Sequence, residues 1–454
     1  MTTVTLVYPY FRPSNDNSIF RFPPLGLGYI AAYLKQRDIS VDLVDCTFLS
    51  QREALERIRN SKPKIIGIQS MFSMKNKSLE LARILRRDCK LLVAGGPMPT
   101  TKPKDFLQDF DVVVIGEGEQ TMLELVRYTE DGGQLIDVKG IAYAEKDTGK
   151  AIRTPPRDFI KDLDSIPIPP RELFDNNAYK SYYSRRFGYT TTSIITSRGC
   201  PFKCDFCSRP VFGNEIRNRT ETSIADEVEQ ICSLGYDRVW FADDCFTLGR
   251  GRLLRICNEL IKRHLRIGWE CLSRVDTIDQ EVAGKMKQAG CLRVFFGIES
   301  GNDSILALMK KQITVKQADG AVRMFRKAGI QVGAFFIIGY PGENDKTILD
   351  TVRFASSLPL DYLSFTLPYP IPGTPLFERL RNRVVKDEWE EPKRLQLVKH
   401  KLLFDSRLSE PRLKFAILKG MTQFYLRKYL GNHGYKLIGT PFERLTDAAY
   451  EFLR

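Results

Sequence analysis

The sequence has no apolar run that approaches the ~20 residues needed for a membrane-spanning helix. Met1 leads directly into the strand-like segment Val4–Tyr8, without the charged and apolar regions of a signal peptide. These two absences predict a cytoplasmic protein with no membrane span.

Histidine is also scarce, since His264, His400 and His433 are the only three in 454 residues. The sequence contains neither a G-x-G-x-x-G nor a P-loop pattern, and no nucleic-acid-binding motif. Its net charge of +14 is compatible with a phosphate-bearing cofactor, an acidic protein, lipid headgroups or nucleic acid. Charge alone therefore selects no partner.

Cysteines are scattered as well, apart from one tight group at residues 200–207. In a chain of this size without a secretion signal, isolated thiols stay reduced and a tight group indicates metal binding. The sequence therefore predicts one metal centre rather than a disulfide framework.

The 454 residues exceed the size at which a single hydrophobic core keeps growing, so we expect two or three domains. Short aliphatic strands separated by helices predict the α/β class, with a parallel sheet covered on both faces. The predicted strands of the first domain lie at residues 4–8, 41–45, 64–68, 90–94 and 111–115, with helices near 27–36 and 52–60.

A proline-rich stretch separates this series from a second one, because proline lacks an amide donor and disfavours regular structure. The second series has predicted strands at 193–196, 238–241, 268–272, 293–298, 331–338 and 362–366, with helices at 224–234 and 321–328. The predicted domains are an open doubly wound parallel-sheet domain at 1–143, a connection at 144–190, a partial (β/α)6 barrel like a TIM barrel at 191–377, and a helical, basic region at 378–454.

The cysteine group follows the first predicted barrel strand and consists of Cys200, Cys204 and Cys207 in a C-x3-C-x2-C spacing. Three thiolates can hold three irons of a cubane cluster, which leaves the fourth iron open to another ligand. The alternative is a structural zinc site, but such a site requires four closed ligands and no nearby His or Cys supplies the fourth.

This spacing, with Phe206 before the last cysteine, resembles the radical SAM superfamily signature. The resemblance implies a [4Fe–4S] cluster whose open iron binds S-adenosylmethionine (SAM), which an electron from the cluster cleaves to a 5′-deoxyadenosyl radical. It also implies an electron donor such as ferredoxin or flavodoxin.

Polar residues follow the barrel strands at the carboxyl-terminal rim, where barrel active sites assemble. By resemblance, Arg274, Glu299 and Ser300 are expected to contact the polar end and ribose of SAM, and Asp243 ends the second barrel strand at the same rim. A helix cap would use the Ser300 hydroxyl equally well.

The segment around Gly339 and Tyr340 resembles the one that passes the adenine of SAM in this family, where glycine permits a close backbone approach. A plain tight turn would have similar residues.

Glycines at three turns of the first domain would let the backbone approach a large ligand. Ordinary turns of a sheet domain would have the same composition. Placed ahead of a radical SAM barrel, these turns resemble the cobalamin-binding domain of the cobalamin-dependent radical SAM family. The expected contacts are Pro24, Leu25, Gly26, Gly95, Gly96, Gly116, Glu117, Gly118 and Glu119. Many cobalamin domains supply an axial histidine, but this domain has none.

The resemblance implies a C-methyltransferase. The deoxyadenosyl radical removes a hydrogen atom, the substrate carbon takes a methyl group from methylcobalamin, and a second SAM remethylates the cobalt. Peptide or protein residues are the expected substrates, for example a glutamine of methyl-coenzyme M reductase.

Two alternatives stay open: a cobalamin-dependent cyclase or rearranging enzyme, and a non-catalytic cobalamin-binding protein. A methylthiotransferase is disfavoured, because it needs an early cysteine triad and only Cys46 and Cys89 occur there.

Overall fold

The computed structural model describes residues 3–13, 16, 18–145, 147–208, 211–385 and 401–452, without the side chains of residues 432, 433, 451 and 452. The chain divides into two compact units. Among the described residues, those up to 200 and at 211–239 form the amino-terminal unit, and those at 201–208, 240–385 and 401–452 form the carboxyl-terminal unit.

Within the described residues, seven strands of the amino-terminal unit form a sheet of order β2-β1-β3-β4-β5-β6-β7. The first five strands pair in parallel, which confirms the predicted parallel sheet, and the last two add antiparallel. The strands are β1 (Val4–Tyr8), β2 (Val41–Asp45), β3 (Ile65–Gln69), β4 (Leu91–Gly95), β5 (Val112–Val114), β6 (Ile141–Ala144) and β7 (Ala151–Arg153).

Alternating side chains of these strands enter two separate cores, one on each face of the sheet. Leu6 and Val93 pack in one cluster, while Val7 and Leu92 pack in the other. The doubly covered sheet that the aliphatic strands predict is therefore present. Its helices are α1 (Leu25–Lys35), α2 (Gln51–Ser61), α3 (Lys75–Leu85), α4 (Pro97–Thr101), α5 (Glu119–Asp131) and α6 (Asn176–Phe187).

The predicted connection at 144–190 contains regular structure, namely β7 and α6. The prolines end at Pro170, and Asp175 then caps α6 by accepting a hydrogen bond from the Ala178 amide at 3.0 Å. Tyr179 and Tyr183 of α6 are buried. The domain boundaries themselves stay predictions.

The second βα series has a six-stranded sheet of order β15-β14-β13-β12-β11-β8 among the described residues, as expected of the partial barrel. Strands β12 to β15 pair in parallel. The strands are β8 (Thr191–Ile194), β11 (Arg238–Phe241), β12 (Gly268–Ser273), β13 (Cys291–Glu299), β14 (Gln331–Ile337) and β15 (Tyr362–Thr366), and a separate antiparallel pair consists of β9 (Ser197–Arg198) and β10 (Arg217–Asn218).

The helices of this series are α7 (Glu221–Ser233), α8 (Arg250–Lys262), α9 (Gln280–Gln288), α10 (Asp303–Leu308), α11 (Val315–Lys327), α12 (Asp345–Ser357) and α13 (Pro375–Leu380).

The carboxyl-terminal region is helical, as predicted, where it is described. It contains α14 (Glu410–Gly434), a π-helix (Tyr435–Gly439) and α15 (Thr440–Phe452). Its residues 386–400 lie outside the described part. No helix of the described chain has the length and apolar character needed to cross a membrane.

Candidate active site and cofactor-binding turns

The cysteine loop begins at the antiparallel pair β9–β10. Gly199 has a φ of +86°, and a Cβ there would lie 2.2 Å from the carbonyl oxygen of Glu215, so the turn requires glycine. Cys200 follows and is buried, with its amide 3.5 Å from the carbonyl oxygen of Gly213. The backbone thus fixes the first cysteine at the end of a strand pair.

Two arginines of this strand pair bind carboxylates of the β5–α5 turn. Arg198 donates to Glu117 at 2.8 Å and to Glu119 at 2.6 Å, and Arg217 donates to Glu117 at 2.8 Å. Although burial alone would lower the pKa of Arg198, the charges of Glu119 and Glu117 raise it. All four side chains are buried. The carboxylates of Glu117 and Glu119, predicted as cobalamin contacts, are therefore engaged by the base of the cysteine loop.

In the carboxyl-terminal unit, Arg274 contacts the second cysteine. Its Nη1 lies 3.7 Å from the Sγ of Cys204, and its guanidinium lies 3.6 Å from the centre of the Phe202 ring. Asp276 binds the guanidinium through both oxygens, at 2.9 and 2.8 Å, and the carbonyl oxygen of Lys311 accepts at 2.7 Å. Arg274 is thus held against the cysteine loop as a hydrogen-bond donor to sulfur.

Asp205, between the second and third cysteines, is buried and holds the loop on the barrel. Its carboxylate accepts a hydrogen bond from the hydroxyl of Tyr340 and lies 2.9 Å from Nη1 of Arg379. Burial raises the pKa of Tyr340, which keeps its hydroxyl a donor. The neighbouring Phe206 packs in the apolar cluster that includes Tyr340 and Met309. Tyr340, predicted near adenine, uses its hydroxyl to hold the cysteine loop.

The turn after β14 requires glycine at Gly339, where φ is +88° and a Cβ would lie 2.5 Å from Leu413. The amides of Gly339 and Tyr340 donate to Glu343 at 2.6 and 2.8 Å, and burial raises the pKa of Glu343 to about 8. These contacts are those of a tight turn, the alternative left open by the sequence. The adenine contact stays a prediction.

Glu299 ends β13 in a left-handed conformation with a φ of +72°, next to an irregularity in the β13–β14 register. Its carboxylate lies 2.9 Å from Nζ of Lys311, and both side chains are buried. Burial alone would lower the pKa of Lys311, but the charge of Glu299 raises it. A strained backbone and a buried ion pair at one strand end are typical of a functional site.

Ser300 is buried next to Glu299, and its hydroxyl supports the start of α10. It accepts a hydrogen bond from the Asn302 amide at 3.2 Å and lies 3.1 Å from the Thr351 hydroxyl. Asn302 is the residue that caps α10. Asp243, two residues after the end of β11, is also buried, with an oxygen 3.7 Å from Nη2 of Arg252.

The predicted cobalamin turns lie at the carboxyl ends of the strands. The sheet order changes direction between β1 and β3, where open α/β sheets bind their ligands. Gly96 has a φ of +105°, and a Cβ there would lie 2.9 Å from the carbonyl oxygen of Ser70; Gly116 has a φ of +83°. Pro24, Leu25 and Gly26 form the start of α1, whereas Gly95 ends β4 and Gly118 precedes α5.

The same edge of the sheet contains an unsatisfied polar atom. Oε1 of Gln69, the last residue of β3, is buried and has no hydrogen-bond partner among the described residues. A buried amide oxygen without a hydrogen-bond partner costs free energy, because it has lost its contact with water. A hydrogen-bond donor on a bound ligand would remove that cost. The glycine turns and Gln69 therefore fit a large cofactor at this edge.

The donor chemistry of the cysteine loop matches its predicted cofactor, because cysteine thiolates are the ligands that hold iron–sulfur clusters. In the described chain, no three His, Cys or carboxylate side chains converge on one position for a metal ion. The three cysteines of a cubane bind three different irons, so they need not converge in this way. None of the ten cysteines, all of which are described, forms a disulfide.

Sequence reasoning missed several residues that hold this site. Asp205 had a signal, because it lies inside the cysteine motif, and Arg198 lies two residues before the first cysteine of that motif. Lys311 and Arg379 had none, since their partners Glu299 and Asp205 lie on other elements. Asp276 lies two residues after its partner Arg274, so its signal was local.

Two family models match the chain: the radical SAM superfamily over residues 194–355 and the B12 binding domain over residues 15–126. An uncharacterized methyltransferase of Pyrococcus horikoshii is 33% identical over 416 residues, which cover 89% of this chain and 88% of the relative. The anaerobic magnesium-protoporphyrin IX monomethyl ester cyclase of Rubrivivax gelatinosus is 30% identical over an alignment that covers 86% of this chain and 72% of the cyclase.

Among solved structures, the fold is similar to that of the radical SAM methyltransferase TsrM from Kitasatospora setae, with cobalamin and a [4Fe–4S] cluster bound. The TM-score is 0.72 at 21% identity, covering 84% of this chain and 75% of the other. The cobalamin-dependent radical SAM enzyme OxsB gives a TM-score of 0.75 at 18% identity, and the match covers 100% of this chain and 72% of OxsB. The chain thus belongs to the radical SAM superfamily, in the group that carries a B12-binding domain ahead of its barrel.

Proposed function

We propose that the protein is a cobalamin-dependent radical SAM methyltransferase that methylates an unactivated carbon. The observation that carries the proposal is the presence, in one chain, of a three-cysteine loop after the first barrel strand and of a B12-binding domain. The 33% identity to a relative named as a methyltransferase supports methyl transfer over other outcomes.

When bound, the cluster and SAM supply a hydrogen-abstracting radical, and cobalamin supplies the methyl group. The chain's own residues bind and orient these groups. Cys200, Cys204 and Cys207 are the proposed iron ligands, and Arg274 donates a hydrogen bond to one of those sulfurs. Glu299, paired with Lys311, offers a buried carboxylate at the rim for the amino group of SAM.

The glycine turns at the edge of the first sheet are the proposed cobalamin contacts. Positive φ angles favour glycine at positions 96 and 116, and the absence of a side chain on Gly96 and Gly116 lets a ligand approach the backbone closely. Because the first domain has no histidine, the lower face of cobalamin would lack a histidine ligand from it.

The second candidate is a cobalamin-dependent cyclase, favoured by the 30% identity to the Rubrivivax gelatinosus cyclase. The two reactions differ in their products. A methyltransferase consumes two SAM molecules and releases 5′-deoxyadenosine and S-adenosylhomocysteine in equal amounts, whereas a cyclase releases no stoichiometric S-adenosylhomocysteine. A non-catalytic cobalamin-binding protein would cleave no SAM.

The proposed substrate is a peptide or protein residue, and the proposed reductant is a ferredoxin or flavodoxin. The test compares a deletion strain with its parent, both fed methyl-labelled methionine, by mass spectrometry of proteins and small molecules. A labelled carbon-bound methyl group that disappears in the deletion strain identifies the substrate. If the missing product has an extra ring and no labelled methyl group, the protein is a cyclase.

A further inference from the structure

The end of the carboxyl-terminal helical hairpin exposes large apolar side chains. Helices α14 and α15 run antiparallel, since Lys419 pairs with Asp447 and Arg427 lies 4.0 Å from Glu443. We call residues 425–445, which join and end these helices, the hairpin apex. Its exposed apolar residues are Tyr425, Tyr429, Leu430, Leu437, Ile438 and Leu445, and Tyr429, Leu437 and Leu445 are 77%, 79% and 71% exposed.

The exposed charges of the hairpin apex are all positive. Lys428, Lys436 and Arg444 are exposed, and Glu443 is the one acidic residue in this stretch of the sequence. Glu443 is only partly exposed, lies 3.3 Å from Arg353 and accepts from the Tyr435 hydroxyl at 3.3 Å. Its charge is therefore compensated, and the apex presents a surface that is apolar and cationic.

Internal contacts hold the apex in this shape. The Arg427 guanidinium lies 4.0 Å from the centre of the Tyr435 ring, which is buried between the helices. Lys419 is buried and pairs with Asp447, while Arg353 of α12 lies 2.7 Å from the same carboxylate. These ion pairs hold the two helices together, and the apolar side chains at the bend are left exposed.

We propose that the hairpin apex binds the surface of an anionic lipid bilayer. Leucine, isoleucine and tyrosine side chains flanked by lysine and arginine are typical of segments that lie in the interface between lipid headgroups and acyl chains. Lys428 donates to the carbonyl oxygen of Asp361 at 2.9 Å. Lys436 and Arg444 would contact headgroup phosphates, because a basic segment is attracted to the negative surface of an anionic leaflet. The apex matches such a surface in both respects, since its apolar side chains would enter the acyl boundary and its exposed cations would face the phosphates.

The test uses the purified full chain and co-sedimentation with vesicles. We expect binding to phosphatidylcholine vesicles that contain phosphatidylglycerol, little binding to phosphatidylcholine alone, and release by high salt. The variant K436Q/R444Q lacks two of the cations. Each lost charge should lower the affinity for anionic vesicles roughly fivefold, so the double variant should bind about 30-fold more weakly. The apolar variant L437S/I438S should also lose binding.

The matched control is I84S, which changes a half-exposed isoleucine on α3 in the other unit and should bind as the parent does. Because all substituted side chains are exposed, circular dichroism and the thermal midpoint should stay unchanged. Failure of the parent to bind anionic vesicles, or equal binding by L437S/I438S, would overturn the proposal. A dimer in ultracentrifugation that L437S/I438S abolishes, without vesicle binding, would instead make the apex an interface between two copies.

Discussion

At the scale of single residues, the contacts of the candidate site converge on the cysteine loop. The second cysteine has a guanidinium donor, and the residue after it anchors the loop through Tyr340 and Arg379. The sequence predicted the three cysteines because their spacing has a specific chemical meaning. It could not predict that Tyr340 binds Asp205, because a hydroxyl-to-carboxylate contact 135 residues apart leaves no local pattern.

Alanine at Cys200, Cys204 and Cys207 should remove the iron–sulfur absorbance and all SAM cleavage. The anaerobically reconstituted parent should contain about four irons, the content of one cluster held by three cysteines. C89A is the matched control, because Cys89 lies outside the motif, between α3 and β4, and its replacement should leave the iron content unchanged. A triple variant that keeps its cluster would refute the assignment of these ligands.

Replacing Arg274 with glutamine should lower the reduction potential of the cluster. A cationic donor to a cluster sulfur stabilises the more negative, reduced state, and its loss should cost on the order of 50 mV, since 59 mV is a tenfold change for one electron. Potentiometry followed by electron paramagnetic resonance measures this, with the exposed Arg266→Gln as control. Equal potentials in R274Q and the parent would show that Arg274 does not act on the cluster.

At the scale of elements, the parallel strands were predictable because short aliphatic runs mark buried strands. The antiparallel edge strand β7 and helix α6 were not, since β7 has no buried residue and the buried face of α6 is tyrosine, which is also frequent in strands. The ion pairs that join different elements were not predictable either, because their partners are far apart in the sequence. Arg198 and Glu117, for example, are 81 residues apart.

The pair β9–β10 should depend on Glu117 for its stability. In E117Q, Arg198 and Arg217 would lose a buried anionic partner, and breaking such a pair costs about 3 to 5 kcal/mol. Urea unfolding measures the loss. The control is E172Q, which removes the exposed pair Lys35–Glu172 and should cost less than about 1 kcal/mol. Similar losses in the two variants would contradict a specific role for the buried pair.

At the scale of the whole molecule, the order of modules was predictable from the sequence, because glycine turns precede the cysteine motif and a basic helical region follows the barrel. The B12-binding and radical SAM matches confirm that order. The substrate was not predictable, since it depends on side chains that meet only in the folded chain. The hairpin apex was not predictable either, because in the sequence its exposed leucines resemble residues of a buried core.

The central claim, methyl transfer by one chain with two cofactors, has a direct test that needs no substrate. The reconstituted protein is loaded with cobalamin, reduced with titanium(III) citrate and given SAM with a labelled methyl group. Our account predicts 5′-deoxyadenosine from the cluster, together with S-adenosylhomocysteine and labelled methylcobalamin. Formation of 5′-deoxyadenosine without S-adenosylhomocysteine or labelled methylcobalamin would contradict it.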